Sequence, residues 1–237
     1  MRELLVFIEE KKQEFARLPL FEFMRDPSIS PRQKVAWAPY AVPFIMFFGD
    51  LNKYVFREEP SSDPIQVIIN KHTYEDDHHW LWFLEDCKTL EIDQTIQFTD
   101  ALRFVWGNET EVPRNLIYQL CKHNSQANLI QKLILIEVIE ATGNVMLVVL
   151  SEIAKELQET TKKELLYFGE FHLNVETGHT TGSPEIEEIL QNLQLPEEKL
   201  QETYELVEKV FELFTGYANY LLFHAKKSTQ HQVLTAS

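Results

Sequence analysis

The sequence predicts an all-α protein, folded as one helical bundle. Three observations carry that prediction. Only 7 glycines occur in 237 residues, too few for the many tight turns of a sheet-rich fold. Long stretches rich in Leu, Glu, Lys, Gln and Ala favour helix by intrinsic propensity. Apolar residues recur at three- and four-residue intervals, the period of one helix face. With 44% hydrophobic and 25% charged residues, the composition suits a globular chain with a sizeable core. One domain over 1–237 is expected, with its core at about 2–226 and a frayed tail at 227–237.

A first helix is expected over residues 2–17, where Leu4, Leu5, Ile8, Phe15 and Leu18 recur at helical intervals. The turn-rich DPSISPRQ closes it. The next helix is expected over 31–57, kinked rather than ended by Pro39 and Pro43. Its face of Trp37, Tyr40, Phe44, Phe47 and Phe48 is unusually aromatic, either as core packing or as the lining of a ligand cavity. Tyr40, Phe44, Phe47 and, from a later helix, Tyr167 are therefore the candidate substrate-pocket residues. Asp63 and Pro64 read as the N-cap and first-turn proline of a helix over 64–90. Shorter helices follow over 98–106 and 113–122, with GNETEVP between them. Residues 126–158 read as a long helix whose LILIEVIEATGNVMLVVL is nearly continuous apolar sequence, interrupted by Glu137 and Glu140. Another helix over 162–177 is ended by Gly178 and TTGSP, and a last amphipathic helix spans 196–226. No solenoid repeat or low-complexity linker divides the chain.

A net charge of -15 argues against a nucleic-acid partner, because phosphate binding needs clustered Lys and Arg. Neutral or cationic partners are expected instead. Cys87 and Cys121 are too few for a disulfide framework and form no CxxC or Cys/His finger, which fits a reducing cytosol. The N-terminal MRELLVFIEEKKQEF is amphipathic and acidic rather than a basic, cleavable signal, and no run of 18 uncharged apolar residues occurs. The expectation is a cytoplasmic protein with no membrane span.

Chemistry enters with two segments of one spacing. His72, Asp76 and His79 in HTYEDDHH, and His172, Glu176 and His179 in HLNVETGH, both read His-x3-acid-x2-His and lie 100 residues apart. On a helix, positions i, i+4 and i+7 share a face, so each segment offers two imidazoles and a carboxylate in one direction. Random placement at this composition gives roughly 0.04 such matches per chain. Trp80, Trp82 and Phe83 follow the first segment, and Tyr167, Phe168 and Phe171 precede the second, so these polar groups are expected to be partly buried. Burying carboxylates without cations costs several kcal/mol each. Glu137 and Glu140 extend the argument, since no Lys or Arg lies between Lys132 and Lys155. A metal is the available counter-charge. The candidate ligands are His79, His172, His179 and Glu176, one of Asp76 or Glu75, and one of Glu137 or Glu140, with His72 in reserve. Asp77 and His78 are expected to support the site from outside it or to face solvent. His and carboxylate donors without thiolate suit a pair of iron ions, with manganese or zinc as alternatives.

Two known families resemble this donor set. Ferritin-like di-iron proteins combine two Glu-x-x-His helices with two that each give a Glu. Asp76-x-x-His79 and Glu176-x-x-His179 resemble the first half, but Asp76 stands where Glu is expected and His172 has no counterpart. The haem-oxygenase-like di-metal oxidases, the group of the chlamydial death-domain-associating protein, are the better resemblance. It spans residues 30–225 and is most specific in the late segment. The resemblance implies an all-α haem-oxygenase-like bundle, with His172, Glu176 and His179 as late ligands, Glu140 as the central carboxylate and His79 as the early imidazole. The chain departs from the pattern at His72, where such proteins commonly place a Glu. Asp76 or Glu75 then substitutes, or the first metal is weakly bound or absent.

What the resemblance implies functionally is a non-haem di-iron oxidase that uses O2 on a small organic substrate, with a homodimer allowed. Haem itself is disfavoured because the first histidine is His72, too late for a proximal ligand on an early helix. A metal-independent enzyme of the thiaminase type, or a cofactorless oxidase using the His/acid pairs for proton transfer, is the alternative enzyme reading. Cys87 and Cys121 stand beside no recognisable base, which speaks against a cysteine nucleophile. A non-catalytic helical interaction protein with an acidic surface is the third reading.

Overall fold

Leu4, Ile8 and Phe15 fall on one face of the first helix, α1 (Arg2–Phe15), and are buried by it. The computed structural model describes residues 1–93, 95–177 and 195–235, the last eight by backbone alone. A short helix that the sequence reading lacked follows as α2 (Pro19–Arg25). Pro19 sits in its first turn, where no N–H is needed, and Leu20, Phe21 and Met24 are buried. Ser30 then caps α3 (Pro31–Lys34) reciprocally with Gln33.

The helix expected over 31–57 is divided. Pro39 has no N–H for the Val35 carbonyl and its ring opposes a helical residue before it, so the chain turns at 35–37. It restarts as α4 (Ala38–Leu51) with Pro39 in the first turn, and Pro43 stays inside this helix. The end of α4 loosens into a π turn over Asn52–Phe56, closed by Arg57 N–H donating to Asn52 O at 3.2 Å.

Helix α5 (Pro64–Asp76) begins as its sequence predicts, with Asp63 Oδ1 accepting from the N–H of Ile65 at 2.9 Å and of Gln66 at 3.3 Å. It does not continue to residue 90. Arg57 donates to Thr73 Oγ1 and to Thr73 O, each at 2.9 Å, and to Asp77 Oδ2 at 2.8 Å. The guanidinium satisfies a carbonyl of the last turn and holds Asp77, and the chain turns through 77–79 before α6 (Trp80–Thr89). Gly49 of α4 lies against this turn. A Cβ there would stand 2.9 Å from Asp77 O and 3.1 Å from Trp80 Cδ1.

Helix α7 (Phe98–Trp106) buries none of its residues and leaves Phe98, Leu102 and Trp106 exposed. Helix α8 (Glu111–Gln126) extends past the expected 113–122 at both ends. Helix α9 (Leu129–Thr161) is capped by Asn128 and Gln131 and packs against α1, α2, α3, α5, α8 and the two helices that follow. By length and composition it could cross a membrane, but most of that apolar stretch is buried inside the bundle. Lys162, at φ 58°, ends it in the left-handed region. Residues 162–169 are irregular rather than helical, a departure from the expected 162–177, and α10 (Glu170–Thr177) follows. The last helix, α11 (Glu197–Thr235), runs past the expected end at 226. The hydrophobic core extends from Leu4 to Ala225, and the described residues include no strand.

Two glycines give opposite expectations. Gly49→Ala pushes against Asp77 O and should lower stability by about 1–3 kcal/mol. Gly143→Ala, in the interior of α9 with nothing within 4 Å of its Cβ, should raise stability by about 0.5–1 kcal/mol. Urea midpoints at unchanged m-value check both.

Candidate metal centre

The turn at 77–79 divides the first His/acid/His segment between two places. His72 and Asp76 stay on α5, where His72 Nε2 lies 3.1 Å from Asp76 Oδ2 and 3.5 Å from Glu140 Oε1 of α9. His79, at the start of α6, joins α10 instead. Its Nδ1 lies 3.0 Å from Glu176 Oε1 and 3.1 Å from His172 Nε2, and that Nε2 is 2.9 Å from the same Glu176 oxygen. Within each triad, His72/Asp76/Glu140 and His79/His172/Glu176, one donor atom per residue lies within 4.8 Å of the others. The triads adjoin, since Asp76 Oδ1 is 3.9 Å from His79 Nδ1.

The alternative residues offered by the sequence take different positions. His72 is a full member of one triad rather than a reserve. Asp76 belongs to that triad, and Glu75, half-buried on the same helix, belongs to neither. Glu140 is a member, whereas Glu137 lies on the wall of the adjoining cavity. His179 lies outside the described residues. Asp77 is held by Arg57, and His78 is about half exposed.

His72, Asp76, His79 and His172 are each at most 4% exposed, so any charge on them is removed from bulk water. Burial lowers the His79 pKa, against the opposing pull of Glu176 and Asp76. Burial first, then the negative charges of Glu176 and Asp76, push the Glu140 carboxyl well above the usual carboxylate range. Among the described residues no lysine or arginine pairs with Asp76, Glu140 or Glu176; their ion-pair partners are the histidines. Two sets of imidazole and carboxylate donors, crowded with like charge, match the donor chemistry of divalent cations.

The second triad is oriented from behind. His172 Nδ1 lies 2.9 Å from the carbonyl of Tyr167, which places the ring proton there and leaves Nε2 facing the triad. That carbonyl belongs to the irregular 162–169 segment, which Asp86 holds. Its carboxylate accepts from the N–H of Leu166 at 2.7 Å and of Tyr167 and Phe168 at 2.9 Å. Burial outweighs these donors and pushes the Asp86 pKa up to about 6. Trp82 stacks on His79 with ring centroids 4.2 Å apart and planes 20° apart. Sequence reasoning did not single out Asp86 or Arg57. The available signal for Asp86 was an acid between Phe83 and Leu90 on the buried side of α6.

A cavity of about 550 Å³ opens on both triads. Trp37, Phe44 and Phe48 line it from the aromatic helix, and Tyr167 lines it beside His172. Tyr40 and Phe47 are corrections to the expected pocket. Tyr40 turns away to stack on His224 at 3.7 Å and to meet Phe104, and Phe47 packs into the core outside the cavity wall. Neither cysteine lines the cavity, and burial pushes the Cys87 thiol up to about 12.

A solved structure matches almost the whole chain: a domain of unknown function with a heme oxygenase-like fold from Shewanella denitrificans. It has a TM-score of 0.63 and 14% identity, with 98% of this chain and 94% of that chain covered. This chain has a haem oxygenase-like fold. No protein-family model and no curated protein matches its sequence. A haem oxygenase-like bundle is a scaffold, and the chemistry of this one has to be argued from the side chains around its own cavity.

Asp86→Asn removes one of the two acceptor oxygens that hold the segment ahead of α10. Metal affinity should fall about 10–100-fold, the usual effect of losing a group that orients a ligand. Competition titration against a chromophoric chelator measures it, with circular dichroism expected to keep its helical signal.

Proposed function

We propose that this protein is a non-haem di-iron oxidase acting on a small organic molecule in the cavity. The observation that carries the reading is the pair of adjoining buried triads, each of nitrogen and oxygen donors, on the wall of a chamber large enough for a substrate. The donor set lacks thiolate, which favours iron or manganese over structural zinc. Two ferrous ions held there would supply two electrons to O2 and so oxidise an organic molecule beside them.

The residues around the donors have separable roles. The Tyr167 carbonyl fixes which nitrogen of His172 faces the centre, and Asp86 fixes that carbonyl. Stacking against Trp82 limits rotation of the His79 ring. Trp37, Phe44 and Phe48 exclude water from the chamber and offer an apolar surface to a substrate. A thiaminase-type hydrolase fits less well, because it needs a thiolate facing the cavity, and burial raises both thiol pKa values away from the wall.

Anaerobic loading with ferrous iron tests the proposal. Wild-type protein should retain about two ions per chain, one per triad, and consume O2 on exposure to air. His72→Ala and His172→Ala should each retain about one ion and lose most O2 uptake. A wild-type iron content well under one per chain, in protein with its full helical signal, would exclude the reading.

A further inference from the structure

Helix α7 keeps more apolar surface in water than its seat on the bundle requires. At about 100° per residue, Phe104, Ala101, Val105, Phe98, Leu102 and Trp106 follow one another around it as an apolar arc of about 200°. The bundle takes up the first three, which are half-buried, with Phe104 edge-on to Tyr40. Phe98, Leu102 and Trp106 stay 75%, 51% and 64% exposed. The helix is nevertheless held in place at its C-terminal end. Thr110 Oγ1 donates to the Val105 carbonyl at 2.7 Å, and Arg114 donates to the carbonyls of Val105 at 2.7 Å and Gly107 at 2.9 Å. The Arg114 guanidinium also stands 5.7 Å from the centre of the Trp106 ring. A face fixed in this way loses little conformational freedom when something docks on it.

Order, charge and area suit this face to a second copy of the same chain. Phe98, Leu102 and Trp106 are spaced four and four, so aromatic, leucine, aromatic reads alike from either end. A chain of net charge -15 repels its own copy, but residues 94–108 carry only Asp100 and Arg103, which pair with each other at 2.6 Å. The three exposed side chains offer about 400 Å² per copy, judged from the usual area of such groups. Two copies would bury about 800 Å² from these alone, and Ile96, 56% exposed just ahead of the helix, brings the total towards the roughly 1,200 Å² at which specific interfaces begin. A bilayer suits the face less well, because helices that lie on membranes carry several basic residues and α7 has only Arg103.

We propose that α7 is the centre of an isologous homodimer interface, in which two copies of the helix pair antiparallel about a two-fold axis at Leu102. Leu102 then meets its own counterpart. Phe98 lies level with Trp106 of the other copy at both ends, since each stands four residues, about 6 Å, from the axis. No α7 residue lines the chamber and the pairing needs no metal, so it stands or falls apart from the oxidase reading.

Sedimentation velocity of the full chain over a range of concentrations tests the interface. Wild type should pass from the 27.9 kDa monomer towards twice that mass, with a dissociation constant in the micromolar range expected of a small interface. Leu102→Glu places like charges together on the axis and should weaken the dimer about 100-fold or more. Val6→Glu, at a residue of α1 that is 54% exposed, should leave the constant within about twofold, and circular dichroism should show both variants fully helical. Register is read independently with a short bismaleimide. Leu102→Cys should crosslink to itself, whereas Phe98→Cys and Trp106→Cys should crosslink only when the two proteins are mixed, above the background that Cys87 and Cys121 set in wild type. A monomer at every concentration would overturn the proposal, as would an equal loss in Val6→Glu or self-crosslinking of Phe98→Cys as strong as that of Leu102→Cys. Monomer that sediments with phosphatidylcholine vesicles, and ceases to in Leu102→Glu, would overturn it in favour of a bilayer.

Discussion

The Arg57 guanidinium is the contact on which the centre depends. It binds the side chain and carbonyl of Thr73 and the carboxylate of Asp77, while its plane lies over the Tyr74 ring at 3.6 Å. Held in this way, α5 ends at Asp76 and the chain turns before α6. An uninterrupted helix would keep His72 and His79 on one face, about 10 Å apart along the axis. The turn instead sends His79 across to α10 while His72 stays with α9, so one short segment serves two triads. Gly49 allows α4 to lie against that turn without a side chain in the way.

Around this arrangement the polar interior divides into two kinds. On the buried face of α5, Gln66 donates to the Phe56 carbonyl and to Asn70, and Asn70 both accepts from the Glu58 N–H and donates to its carbonyl. The amide nitrogen of Gln66 and both amide atoms of Asn70 are hydrogen-bonded here, as most buried polar groups in stable cores are. One turn further along, the carboxylates of Asp76, Glu140 and Glu176 gather with imidazoles, and among the described residues no lysine or arginine pairs with them. The raised pKa of Glu140 is the electrostatic signature of that crowding. Cations bound between the triads would relieve it, so ligand geometry and conformational stability are coupled at the same residues.

The all-α fold was legible in the sequence because helical period, low glycine content and the Asp63–Pro64 start signal act locally. The nitrogen and carboxylate donors were legible because their spacing repeats. Their grouping was not. It depends on where α5 stops, and that is decided by Arg57, distant in sequence from Asp77 and acting through the folded structure. Pro39 was visible, but whether a proline kinks or ends a helix depends on what the chain packs against, and here it ends α3 and turns Tyr40 towards His224. Glu137 and Glu140 both interrupt the apolar α9, three residues apart. Only the position of His72 shows which of them faces the triad.

Asp86 has a consequence of another kind. It grips three successive backbone N–H groups, which every amino acid except proline can supply, so it is indifferent to which side chains occupy positions 166 to 168. What it constrains is register: one residue added or removed between Lys162 and Gly169 would present a different carbonyl to the ring behind it. Related chains can therefore hardly vary this connection in length, while its side chains answer to the core and the cavity wall rather than to Asp86.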